Sequence, residues 1–175
     1  MNMPYCSKFH TLLSLLTRDV KLTVFAVLLS VANFLFFHFP FFSFVFENVG
    51  YSTLSGVVII VSLIVVMLVT NFFVFYLLLF LLRGVGKGLL VVVFLLNSIA
   101  LYFVNTYSVI LDESMIGNVF NTNFDEASGF FSLGFLLYFF LLGILPSIYI
   151  IKTKIIFGSW KRFFTITSLS VLLLV

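Results

Sequence analysis

The segment 113–128, ESMIGNVFNTNFDEAS, carries an amide, a hydroxyl and a carboxylate at a spacing that lets them act together. Ser114 can cap a helix start, and Met115, Ile116, Val119 and Phe120 recur at helical spacing. On such a helix Asn118, Thr122 and Glu126 fall at i, i+4 and i+8, a stripe about 80° wide. Met115 and Val119 adjoin that stripe, so it faces a membrane surface or a covering domain rather than open water. A carboxylate supplies countercharge, and the amide and hydroxyl supply oriented donors and acceptors, so the three together can hold an ammonium headgroup. A solvated loop helix with ordinary acids is the other reading of the same residues.

The elements that must position this stripe are apolar. The chain has 175 residues, of which 63% are hydrophobic and 9% charged, with 26 phenylalanines, and its mean hydropathy is +1.30. That is too little polar surface to cover a globule in water, which excludes a soluble domain and points to an integral membrane protein. Apolar runs occupy roughly 20–37, 54–82, 89–104 and 130–151, and a fifth, incomplete one begins near 163 and runs to 175. A crossing takes about 20 residues, and lipid offers unpaired amides no partner, so the runs predict helices. The expected fold is therefore all-α, a five-helix transmembrane bundle with a loop helix between the third and fourth spans.

Charge orients the bundle. Lys8, Arg18 and Lys21 precede the first run, Arg83 and Lys87 sit in RGVGKG between the second and third, and Lys152, Lys154, Lys161 and Arg162 follow the fourth. Glu47, Asp112, Glu113, Asp125 and Glu126 occupy the alternate connections. The positive-inside rule then puts the N-terminus and the basic connections in the cytoplasm, and the loop 105–129 outside a bacterial inner membrane, in the periplasm. The basic residues are topology determinants near anionic headgroups and call for no nucleic-acid partner. Cys6 is the one cysteine, so no intrachain disulfide can form.

Catalytic machinery is not visible in this chain. His10 and His38 fall on opposite membrane faces and cannot share a metal with Cys6, so no metal site is expected. RGVGKG lacks the strand and spacing of a phosphate-binding loop and reads as a tight turn. No serine or threonine has a base and an orienting acid in a recognisable pattern, so no catalytic residue is assigned. Asn33, Asn71 and Asn97 lie within spans, where single asparagines either tie helices by hydrogen bonds or line a solute path. His38 reads as an interfacial residue or a proton relay.

The order NTYSVILDESMIGNVFNTNFDEAS, with its D-x-x-M-I-x-N and T-x-x-x-E patterns, resembles the phosphoethanolamine transferases that modify lipid A, the group that includes the mobile colistin-resistance enzymes. The resemblance is specific over 105–128 and elsewhere rests on span count and loop placement. It implies that 1–175 is the N-terminal transmembrane domain of such an enzyme, with a periplasmic catalytic domain beyond it that carries a threonine nucleophile and zinc. It implies phosphatidylethanolamine as donor and a lipid A or lipopolysaccharide phosphate as acceptor. It also implies that Asn118, Thr122 and Glu126 contact the donor headgroup, and that this chain alone does not turn over. The competing expectation is a small non-enzymatic membrane protein, such as a transporter or accessory subunit.

Overall fold

A computed structural model describes residues 19–107 and 132–174. A two-residue strand, β1 (Val20–Lys21), leads into helix α1 (Leu22–Phe37), and a second helix, α2 (Phe39–Asn48), follows at once. A long helical segment, α3 (Leu54–Tyr107), comes next, then α4 (Leu133–Lys152), a short strand β2 (Ile155–Ile156) and α5 (Trp160–Leu174).

The break between α1 and α2 has a local cause. Pro40 lies in the first turn of α2, where its missing N–H is harmless, but its ring would clash with the carbonyl four residues back if α1 simply ran on. The two helices consequently meet at 61° across His38. The sequence reading ended this element at 37 and did not foresee α2.

Segment α3 is a hairpin. Arg83 takes φ 46° and ψ −110° inside it, and the ring centroids of Phe75 and Phe94 lie 6.4 Å apart. Nineteen residues of straight helix would separate those rings by about 28 Å, so the arms 54–82 and 84–107 run antiparallel. The turn therefore falls at RGVGKG, but the left-handed φ belongs to Arg83; no described glycine has a positive φ.

The core is aromatic and aliphatic, with Phe25, Leu29, Tyr76, Leu79, Leu90, Phe94, Ile150 and Phe163 buried together. Helix α5 docks on the first arm of α3 through Phe163, whose ring stacks on Phe80 at 4.1 Å. Small residues let α4 approach the second arm: a Cβ on Gly143 would lie 2.7 Å from Ser98 Oγ. Gly143 falls in a wide π-helical stretch of α4, Phe139–Ile144. Outward, Leu35, Leu96 and Leu172 are 64%, 60% and 74% exposed, an apolar exterior suited to lipid and not to water. α3 and α4 are each long and apolar enough to cross a membrane, and the bent pair α1–α2 passes the same test when taken together.

One end of the molecule is fastened by polar contacts. β1 pairs in parallel with β2, Val20 opposite Ile155 and Lys21 opposite Ile156, which the sequence reading did not foresee. Lys87 Nζ donates to the carbonyl of Thr153, and the Arg83 guanidinium lies 5.5 Å from the Phe157 ring centre. Partial burial in this contact lowers the Lys87 ammonium below the ordinary lysine value. The three basic connections, around 21, 83–87 and 152–162, thus meet at one end, while Glu47 lies near the far end of α2.

Candidate functional site

Asn118, Thr122 and Glu126, together with the expected loop helix, lie outside the described residues, but the two ends of their loop do not. Tyr102, near the end of α3, shares a 2.7 Å hydrogen bond between its hydroxyl and Ser132 Oγ. Ser132 caps α4 by accepting from the Phe135 N–H at 3.1 Å. One turn further on, Asn105 Nδ2 donates to the Tyr138 hydroxyl at 3.2 Å. Edge-on ring contacts of Tyr102 with Phe135 (5.3 Å) and Tyr138 (5.8 Å) close the clamp. The loop therefore leaves and re-enters the bundle between two fixed helix ends. Tyr102, Ser132 and Tyr138 were not singled out from the sequence, because no local pattern couples residues thirty positions apart.

Directly below this clamp the three span asparagines meet. Asn33 on α1 donates from Nδ2 to Asn71 Oδ1 at 3.2 Å, and Asn97 Nδ2 donates to Asn33 Oδ1 at 3.4 Å. The chain of amides ties α1 to both arms of α3, which is the helix-tying role expected of such residues. Ser30 Oγ adds a bond to the Leu68 carbonyl at 2.8 Å. Two bonds among three amides consume two of six N–H groups, and Asn71 Nδ2 is buried with no partner.

These amides form one wall of a cavity of about 480 Å³. Phe37, His38, Pro40 and Phe41 contribute from the α1–α2 break, and Leu101 and Val104 from the second arm. Leu101 and Val104 neighbour Tyr102 and Asn105 in sequence, so the cavity lies within a turn of the loop clamp. His38 Nδ1 is 3.3 Å from the Asn33 carbonyl, donating in the tautomer that protonates it. Its ring stacks on Phe34 at 5.4 Å.

Among the described residues no three His, Cys, Asp or Glu side chains gather.

The sequence profile of the family described as phosphoethanolamine transferase EptA/EptB matches residues 68–175. A Helicobacter pylori phosphoethanolamine transferase EptA is 34% identical over 121 residues, covering 66% of this chain and 21% of that protein. The phosphatidylethanolamine transferase Mcr-2 of Escherichia coli is 28% identical over 80 residues, 46% of this chain and 15% of its own length. Among solved structures, the integral membrane protein lipooligosaccharide phosphoethanolamine transferase A from Neisseria meningitidis superposes with a TM-score of 0.78 at 22% identity. It covers 90% of this chain, which spans 29% of that protein. That likeness establishes a shared membrane fold.

Proposed function

The chain belongs to the phosphoethanolamine transferase EptA/EptB family, and from that premise we propose that it anchors such an enzyme in the bacterial inner membrane and presents the donor lipid to it. The donor is phosphatidylethanolamine and the acceptor a phosphate of lipid A or a related lipopolysaccharide. The relatives are several times longer than this chain, which supports assigning the nucleophile and the zinc to a periplasmic domain outside these residues. The observation that carries the reading is the clamp at Tyr102, Ser132, Asn105 and Tyr138, which fixes the base of the loop bearing Asn118, Thr122 and Glu126. A transporter or accessory subunit is not favoured, since the family match covers more than half of the chain.

In this reading α1–α2, the two arms of α3, α4 and α5 make five passes, with a periplasmic helix in the loop. The meeting of Lys21, Arg83, Lys87, Lys152, Lys154, Lys161 and Arg162 at one end supports a cytoplasmic placement of that end. In a Cys6→Ala background, a cysteine at Ser128 is expected to react with an impermeant thiol reagent from the periplasm, and one at Ser159 is not. The reverse labelling would overturn both the orientation and the donor site.

Function is tested with a chimera in which residues 1–175 replace the corresponding membrane part of the Helicobacter pylori relative. Expressed in a strain without its own transferases, the chimera is expected to add one phosphoethanolamine to lipid A, read as a mass shift. A correctly inserted chimera that leaves the mass unchanged would remove the proposal.

A further inference from the structure

The asparagine cavity has no role in tying helices beyond its two hydrogen bonds, yet it leaves a buried amide N–H group without a partner. We propose that this cavity seats the ester-linked glycerol region of a phospholipid, with Asn71 and Asn97 donating to acyl ester carbonyls. For the identity of that lipid as the transferase donor, the assignment rests on the function proposed above.

Four observations select this ligand class. Asn71 lines the cavity and its Nδ2 is buried and unpaired, so this amide gains an acceptor when it turns towards a carbonyl seated there. The lining carries no lysine, arginine, aspartate or glutamate, which suits a neutral acceptor and disfavours a phosphate or a metal ion. About 480 Å³, open on one side, is many times the roughly 10–15 Å³ that one water needs. Apart from His38, whose Nδ1 already faces the Asn33 carbonyl, the remaining walls, Phe37, Pro40, Phe41, Ala100, Leu101 and Val104, are apolar and accommodate the start of an acyl chain. Position agrees as well. In a phospholipid the ester carbonyls sit just below the headgroup, and the cavity sits just below the clamp from which the headgroup loop departs. One bound lipid can thus place its carbonyls on the amides and its ammonium near the loop.

The test compares ester- and ether-linked lipids on the full chain, purified in detergent, with retained lipid counted by native mass spectrometry. Diacyl and dialkyl forms are offered with ethanolamine and, separately, with choline headgroups. The ether forms lack the carbonyls and are otherwise alike. The chain is expected to retain diacyl over dialkyl lipid by at least about two- to tenfold, the range for one neutral hydrogen bond. Asn71→Leu is expected to lower that ratio, with Asn97 left as one donor. Ala100→Phe, which fills the cavity from its wall and leaves all three amides in place, is expected to lower retention of both forms.

Equal retention of diacyl and dialkyl lipid by the unaltered chain overturns the seat and leaves water as its occupant. So does an ester preference undiminished by Asn71→Leu, or retention unaffected by Ala100→Phe. The headgroup arm reports separately. Equal binding of ethanolamine and choline lipids, with the ester preference intact, would sink the donor reading and keep the carbonyl seat.

Discussion

Replacing Gly86 by leucine is expected to open the α3 hairpin and destabilise the fold by about 1–3 kcal/mol, the cost of forcing bulk into a packed contact. A Cβ at position 86 would lie 2.7 Å from the Leu78 carbonyl oxygen and 3.2 Å from the Leu79 Cα. Those atoms are backbone of the opposing arm and cannot swing aside as a side-chain tip would. The rest of a leucine would have to enter the seam beside Leu79 and Leu90, both buried. Opening the seam also releases Lys87 from Thr153 and the guanidinium of Arg83 from Phe157, two of the contacts that fasten the basic end. Gly84 and Gly88 flank the same turn with nothing within 4 Å of an added Cβ, so alanine at either position is expected to leave stability within about 0.5 kcal/mol. Thermal unfolding in detergent separates the three glycines. Comparable losses at positions 84, 86 and 88 would mean that the arms do not pack as an antiparallel pair.

The turn itself was legible in RGVGKG, but which residue would carry the unusual backbone was not. Glycine is the usual occupant of a left-handed φ, yet Arg83 holds φ 46°, with its side chain over Phe157. Gly86 is needed for close approach. Composition and charge revealed the class and which connections share a face, because a bilayer enforces long apolar runs and the basic residues partition between them. Interactions that join distant residues left no such trace. Asn33, Asn71 and Asn97 are separated by 38 and 26 positions, share no period, and become a site only when α1 packs between the arms of α3. Similarly, the sequence reading ends the first apolar run at 37 and gives Pro40 just beyond it no role. In fact this proline starts α2, because a first-turn proline is compatible with a new helix at a new angle. The π-helical stretch around Gly143, which Ser98 approaches closely, is equally silent in sequence. For Asn118, Thr122 and Glu126 only the anchorage of their loop is described, and their roles are to be tested directly.

In the active chimera, Glu126→Ala is expected to lower transfer about ten- to a hundredfold without reducing the amount of protein in the membrane. Glu126 is the one acid of the proposed stripe, and a charge-assisted hydrogen bond contributes about 1.5–3 kcal/mol. The proposed bond is to an ammonium group that does not react, so the loss should fall first on the donor concentration needed for half-maximal rate. Glu126→Gln keeps shape and hydrogen bonding while removing charge. Its loss is expected to approach that of alanine if countercharge matters, and to be small if geometry alone holds the headgroup. Asp125 has the same charge and the same loop, and on the loop helix expected from the sequence it would lie about 100° away from Glu126, so Asp125→Ala is expected to change the rate little. Asn118→Ala and Thr122→Ala remove neutral partners, which contribute about 0.5–1.5 kcal/mol each, and are expected to fall between these limits. The ranking matters more than any single value. Equal losses at Asp125 and Glu126 would show that the loop acts through its net charge rather than through one helical face, and the headgroup stripe would have to be abandoned.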